Sequence, residues 1–374
     1  MKKLGVFYGG KSCEHEVSVI TALQAMAELE GYFDICPIYV TESGWYSGEE
    51  LKNADSYKDF EPNNHCSVFL VGNKLYTKRK LGIMKLISEI DCAFICMHGG
   101  IGEGGGISGL MEMNGISYTC ARLLQSSVCL DKEYFKIIAK HKGFKVVPWI
   151  VVNKDEFEED EEKISKKLYK KYGNDVIVKP IDMGSSIGVN TPRGAEEIRD
   201  ALSLVFCYTS RAIVEKKITD IIELNCAVCR LGEVVAVSAI ERPYVSKGEV
   251  LSYKDKYLTK YGDDNPDREI PAKISPSLAT RVRRTTQSLY ESLGLDGVVR
   301  VDYIYKTETD ELFVNEVNTI PGSMGGYLFE KCGINYVELV SGLVQSAENR
   351  LDKDKEFLTH FSSELLSGKY FVSK

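Results

Sequence analysis

The stretch Val298 to Met324, VVRVDYIYKTETDELFVNEVNTIPGSM, carries more information than any other part of this chain. RVDYIY and LFVNEVN read as strands, and TETDE between them supplies a turn, so the segment predicts a hairpin. Residues two apart on a strand share a face, so Arg300 and Asp302 project together, as do Glu316 and Asn318. Two carboxylates and an amide, Asp302, Glu316 and Asn318, suit magnesium, a hard cation that keeps some water and takes its other ligands from nucleotide phosphates. The segment points to ATP chemistry. The bland alternative is a polar face on a solvated hairpin.

A chain of 374 residues exceeds one ordinary core and leaves room for two or three domains. With 44% hydrophobic and 27% charged residues it reads as a soluble globular protein. A net charge of -7, with no basic stripe, argues against long nucleic acid as a partner. No apolar run approaches the ~20 residues that span a bilayer, so no membrane partner is expected. The basic opening MKKLGVFYGG breaks at Gly9 and Gly10, too early for a signal-peptide core. Eleven scattered cysteines, an odd number, fit reduced thiols in a cytoplasm. Cys226 and Cys229 form a CxxC, but on the predicted strand LNCAVCRL they point to opposite faces, which disfavours metal or redox work.

Strand-like and helix-like segments alternate through the first 120 or so residues, from LGVFYGG to SGLMEMNG, which predicts an open α/β sheet with parallel strands. Ser18 is the expected N-cap of the first helix, with Ile20, Leu23 and Ala27 on its buried side. A second region opens at Asp131, the expected cap of KEYFKIIAKHKG, and runs through VIVKPIDMGSS; its acidic run Glu158 to Glu162 reads as a solvated helix face. From Ala212 onward strands dominate, predicting an antiparallel sheet. Two late helices are marked by Ser275 before Pro276, ending at Gly294, and by Asn335 with Glu338 three residues on. The expected domains are 1–121, 122–214 and 215–374, and the long polar segment at about 245–274 reads as a lid.

Gly9 and Gly10 follow the first strand, and Glu14 and Ser18 come next, where a carboxylate at a strand's carboxyl end could hold a substrate ammonium. His98, Gly99 and Glu103 end another predicted strand, so two strand ends could converge on one crevice. The loop IDMGSSIGV, with Ser185 and Ser186, supplies hydroxyls and free amides for a phosphate cradle, and Lys179 and Lys132 could place charge on the same phosphates. VEKKIT could meet an adenine with backbone groups, and Glu223 a ribose. Tyr253, Lys256 and Tyr257 sit in the long polar segment. Taken singly, most of these residues have ordinary structural explanations.

Taken in order, GGKSCEHEVS, HGGIGEGGGISGLME, LDK, VKPIDMGSSIG, SYKDKY, RVDYIY and NEVNTIPG resemble the D-alanine:D-alanine ligases of the ATP-grasp superfamily, from about Leu4 to Gly322. The resemblance implies an ATP-grasp fold of mixed α/β and α+β class: an N-terminal open α/β domain, a small central domain and a C-terminal antiparallel-sheet domain. It implies that Glu14 helps hold the first substrate's ammonium, with His98 beside that substrate, and that Ser185, Glu14 and Tyr257 form a set locking the lid. Lys132, Lys179, Glu215, Lys216, Ile218 and Glu223 would line the ATP pocket, although EKKITDIIE is one residue longer than the usual spacing. Lys256 would reach the γ-phosphate. Asp302, Glu316 and Asn318 would bind two magnesium ions, or manganese in their place, with Arg300 and the amide of Gly322 stabilising the tetrahedral oxyanion.

One departure concerns the second substrate. Where the family usually has small polar residues and a serine gripping the second carboxylate, this chain has SMGGYLFEKCG, with Tyr327 near the serine's place and Leu328 following. Tyr257, where ester-forming relatives tend to have histidine, favours an amine nucleophile. The expectation is a cytoplasmic, homodimeric ligase joining two small-molecule D-amino acids, D-alanine to D-alanine, for peptidoglycan precursors. Its rivals are the same chemistry with D-serine, glycine or another small second amino acid, and a non-catalytic nucleotide or amino-acid sensor on the same fold.

Overall fold

A computed structural model describes residues 1–79, 82–243 and 268–358. Lys256, Tyr257 and all of the expected lid before residue 268 lie outside them. Eight strands form the first sheet: β1 (Lys3–Gly9), β2 (Asp34–Thr41), β3 (Gly44–Ser47), β4 (Cys66–Val71), β5 (Lys74–Lys78), β6 (Met84–Glu89), β7 (Cys92–Ile95) and β8 (Ser117–Tyr118), in the spatial order β6-β5-β4-β3-β2-β1-β7-β8. The half β2-β1-β7-β8 is parallel, as the alternation predicts. The other half is an antiparallel meander. Each of these short strands pairs with its sequence neighbour, across a longer connection of 3-10 turns between β3 and β4 and short connections after it, so residues 44–89 extend the sheet without crossover helices.

The first helix, His15–Leu29, corrects two expectations. It begins before Ser18, which lies inside it, and its buried residues are Val17, Ser18, Val19, Thr21, Ala22, Ala25, Met26 and Leu29. Ile20 is 46% exposed and Ala27 is exposed, while Leu23 is half-buried. The face against β1 is built largely of small residues, which lets the helix approach closely and turns the bulkier Ile20 outward.

The second sheet has three antiparallel strands, β9 (Trp149–Asn153), β10 (Val176–Pro180) and β11 (Arg211–Lys216), with β11 in the middle. The third has five, β12 (Ile221–Leu231), β13 (Val234–Pro243), β14 (Arg268–Glu269), β15 (Val299–Lys306) and β16 (Glu311–Asn318), in the order β14-β13-β12-β15-β16. Every pairing in it is antiparallel. The caps fall where the sequence puts them: Asp131 accepts from the amides of Glu133 and Tyr134, Ser275 from that of Leu278, and Asn335 and Glu338 close a capping box. Cys226 and Cys229 enter separate cores on the two faces of the third sheet, and the cysteines are free.

The helix Tyr336–Lys355 ties the first and third sheets together. Leu339 and Leu343 pack with Ala227 and Cys229, while Val340, Val344 and Ala347 join the core of the first sheet. Arg350 stacks 4.0 Å from the Tyr118 ring centroid and donates to the carbonyls of Tyr118 and Cys120.

Candidate active site

The hairpin β15–β16 has the register its sequence implies, Arg300 opposite Asn318 and Asp302 opposite Glu316, with an irregularity just after Asp302. Arg300 grips Asp302 with two bonds, Nε to Oδ1 at 2.6 Å and Nη2 to Oδ2 at 2.8 Å, and the Asn318 amide donates to Oδ2 at 3.0 Å. Burial opposes the Arg300 charge, but Asp302 outweighs it and raises the guanidinium pKa well above its usual value. Two cross-strand carboxylates and an amide fit a hard cation that shares phosphate oxygens. Among the described residues no group of three or more His, Cys, Asp or Glu could hold a metal alone, so such a cation needs the amide, water or a ligand to complete its shell.

Lys179 comes from the second sheet, and Lys132 and Lys136 from a helix whose Phe135 and Ala139 pack into the core of the third sheet. Lys132 opens the helix Lys132–His141, and its ammonium donates to the Met183 carbonyl. Lys179 Nζ lies 2.7 Å from Glu215 Oε2, and Lys136 Nζ lies 2.7 Å from Glu215 Oε1. Burial alone would push the Glu215 carboxyl up; the two lysines outweigh it and hold it at about 2. Burial likewise opposes charge on Lys179, but Glu215 and Glu316 raise its pKa, whereas burial prevails at Lys132 and Lys136 and lowers theirs. Sequence reasoning passed over Lys136, although it stands four residues after Lys132 on the same helix face. The Glu223 carboxylate adds a smaller contribution to raising Lys179. Lys216 is exposed at the end of β11 and Ile218 is half-buried beyond it.

Beyond the carboxyl end of β1 the Ser185 hydroxyl donates to Glu14 Oε1. Both residues are buried, and Ser185 and Ser186 adopt positive φ, +52 and +59. The turn is tight enough that a Cβ on Gly99, where φ is +66, would stand 2.4 Å from Glu14 Oε2. Glu103 accepts from the Gly99 amide at 2.9 Å, and burial with the nearby Glu14 pushes its carboxyl up to about 7. The sequence placed Glu103 at this strand end without a task; its pairing with Glu14 required the fold. His98 Nε2 lies 2.9 Å from Thr21 Oγ1, and its ring also bonds the Ile320 backbone. Burial pushes its pKa down to about 4, which keeps the imidazole neutral near pH 7.

Two expected substrate contacts look different in three dimensions. Ser18 is fully buried, accepting from the Gly9 amide and donating to the Cys96 carbonyl, each at 2.7 Å. It braces two strand ends. The Leu328 side chain lies wholly in the core between the third sheet and its helix, so only its backbone could meet a ligand. Gly322 opens a short turn through Gly325 in which Ser323 and Met324 have positive φ. The Tyr327 hydroxyl donates to Glu241 Oε2 at 3.1 Å.

The Ser185–Glu14 bond and the charge interactions of Lys132 with Glu316 and Glu103, and of His98 with Arg300, thus bring parts of all three sheets close together. Comparison with known proteins agrees along the chain. Residues 3–121 match the family model of the D-ala D-ala ligase N-terminus, and residues 138–345 that of its C-terminus. The D-alanine–D-alanine ligase of Thermosipho melanesiensis is 31% identical over 366 residues, covering 96% of this chain and 97% of the relative. Among solved structures, the D-alanine–D-alanine ligase of Coxiella burnetii shares the fold with a TM-score of 0.78 at 22% identity, over 95% of this chain and 96% of its own. A D-Ala:D-Ser ligase of Enterococcus faecalis has a TM-score of 0.74 at 28% identity, over 92% and 99%. The chain belongs to the D-alanine–D-alanine ligase family, whose ATP-grasp fold it adopts.

Proposed function

We propose that the cleft activates the carboxylate of one D-amino acid as an acyl phosphate and passes it to the amine of a second. The family's reaction, ATP-dependent joining of two D-alanines for peptidoglycan precursors, is the activity of this chain. In the first step the carboxylate of D-alanine attacks the γ-phosphoryl group, and ADP leaves. In the second the incoming amine attacks the acyl carbon, the tetrahedral centre collapses, and phosphate departs with the electron pair of the C–O bond.

Glu14, fixed by Ser185, accepts from the first substrate's ammonium, with neutral His98 beside it. Lys132 and Lys179 neutralise phosphate oxygens from the side opposite Asp302 and Glu316; Lys216, Ile218 and Glu223 border the nucleotide. Lys256 would reach the γ-phosphate, and Tyr257 would join Glu14 and Ser185. Asp302, Glu316 and Asn318 would hold two magnesium ions, which lower the charge repulsion between nucleotide and carboxylate. Arg300 and the amide of Gly322 stabilise the oxyanion. Placing both substrates on one rigid surface contributes a large effective molarity, on the order of 10⁵ M or more.

The observation that carries this reading is the pairing of Asp302 with Glu316 across β15–β16, with Arg300 and Asn318 beside them and buried lysines opposite. Its test is Glu316→Gln. Removing one metal-facing charge should lower kcat by orders of magnitude while ATP binding, followed by calorimetry, persists. Near-normal turnover would refute the assignment. A second reading, D-serine or glycine as the second substrate, is favoured by Tyr327 where a serine is usual; mass spectrometry of products from mixed D-amino acids separates the two. We propose three domains near 1–121, 122–214 and 215–374, with a lid at about 245–274; the separate sheets support three units, while the helices within 123–141 pack into the core of the third sheet and β11 runs across the second boundary. We further propose a cytoplasmic homodimer; among the described residues no helix is long and apolar enough to cross a membrane.

A further inference from the structure

Arg211, the first residue of β11, holds the start of the helix Lys132–His141. Its Nη1 lies 2.7 Å from Asp131 Oδ2, its Nη2 bonds Glu133 Oε2, and its guanidinium stands over the Tyr134 ring, 5.5 Å from the centroid. Asp131 is the N-cap of that helix, and Glu133 and Tyr134 belong to its first turn, so one side chain grips the turn on both sides of Lys132. Asp131 divides its oxygens: Oδ1 accepts the amides of Glu133 and Tyr134, and Oδ2 takes the guanidinium. The backbone repeats the attachment, since the Lys132 amide donates to the Ile181 carbonyl and the Ile181 amide to the Arg211 carbonyl. The body of the helix is committed elsewhere, with Phe135 and Ala139 in the core of the third sheet. Its first turn is therefore tied to one sheet and its body to another.

The Lys132 ammonium needs such a tether. Burial, the largest influence on it, opposes its charge, and Lys179 repels it, while Glu316 and Glu215 attract it. It also stands at the positive end of a helix, where the dipole disfavours a cation. A lysine carries its charge on a flexible four-carbon stem, so under these opposing forces its reach is set by where its backbone is held. Arg211 suits that task better than a lysine would. Its planar fork takes two carboxylates at once, which fixes orientation as well as distance, whereas a single exposed ion pair would contribute little.

Resting on the reading of Lys132 as a lysine that meets phosphate, we propose that Arg211 is a positioning residue: by joining Asp131 to Glu133 it fastens the first turn of the helix to the second sheet and so holds the Lys132 ammonium against the nucleotide phosphates, beside Lys179. Arg211 itself touches no substrate.

The test follows ADP release by the full chain at saturating D-alanine. Arg211→Gln should lower kcat/KM for ATP by about 10- to 100-fold, the range of one charged hydrogen bond, and leave both D-alanine KM values within about twofold. Because Arg211 acts through Lys132, the same substitution made in a Lys132→Met background should cost less than about twofold more. Where the double variant turns over too slowly, magnesium-ATP affinity by calorimetry completes the cycle with the same expectation. Arg211→Lys keeps the charge without the fork; it should show an intermediate loss, and it serves if the glutamine variant does not fold. Asp131→Asn still caps the helix but offers Arg211 no charge, and should share part of the defect. A folded Arg211 variant whose kcat/KM for ATP stays within about twofold of wild type, or a loss of equal size with and without Lys132, overturns the assignment and leaves the ligase reading intact. Full activity in Lys132→Met overturns the phosphate role of Lys132 and this proposal with it.

Discussion

Glu215 is the single residue whose loss should be felt most by the second sheet. Its carboxylate sits between the ammonium groups of Lys136 and Lys179, both 2.7 Å away, with Lys136 wholly buried. The pair of lysines holds its pKa at about 2, against an ordinary 4.5, despite burial. That depression corresponds to about 3 kcal/mol in a site closed to solvent. Breaking a buried pair by removing one partner costs roughly 3 to 5 kcal/mol for the same reason, since the charges left behind cannot reach water. Glu215→Gln should therefore destabilise by about 3 kcal/mol at pH 7. Trp149 pairs with Glu215 on β9 and reports the transition, with Trp45 replaced by Phe to silence the first sheet. The sign with pH is fixed. A depressed carboxyl pKa contributes stability that is present above 4.5 and lost as pH falls toward 2, so wild type and variant should converge over that window. Lys136→Met added to Glu215→Gln removes one orphaned ammonium and should recover part of the loss. A deficit under about 1 kcal/mol at pH 7, or one that stays constant down to pH 3, would refute the reasoning.

Two further outcomes test the other side of the cleft. Ser185→Ala deprives Glu14 of its hydroxyl donor and should raise the first-site KM for D-alanine by about 10-fold or more, with the ATP KM little changed, in steady-state assays of ADP release. His98, pushed down to about 4 by burial, gives stability that is full above pH 6.5 and lost as pH falls from there toward 4, up to about 3 kcal/mol; urea unfolding at stepped pH should show that slope in wild type and not in His98→Asn.

What the sequence made legible is local. Asp131, Ser275 and Asn335 mark helix starts because a cap needs only a side-chain oxygen and the amides two or three residues on. The β15–β16 hairpin was readable because its partners lie within one turn of each other and alternation fixes their faces. The first helix was misphased because its buried face relies on Ser18, Ala22 and Ala25, residues too small to stand out against Ile20 in a hydrophobic pattern. Residues 44–89 were not read as a meander because their pairing is set by neighbours in space, not by composition. Lys136, Glu241 and Arg268 carry no mark in the sequence, and Glu103 carries a place without a task, for a common reason. Each acquires its significance from a partner brought by another element: Glu14 for Glu103, Glu215 for Lys136, Tyr327 for Glu241, and Glu241 for Arg268.

The two chemical steps need two places, one where phosphate charge is neutralised and one where an amine is delivered, held at a constant separation. An antiparallel sheet supplies that separation through register, since Asn225, on the strand between them, stands opposite both Asp302 and Glu241. Because side chains alternate faces, a slip of one residue between β12 and β13 would carry Glu241 to the opposite side and break its ion pair with Arg268 and its bond from Tyr327, while the Asp302–Glu316 end stayed intact. The β12–β13 turn is pinned against such a slip: Gly232, with φ +63, donates its amide to Ser346 Oγ, which in turn donates to the Arg230 carbonyl. The helix that joins the first and third sheets thus also fixes the register on which the spacing of the two steps depends.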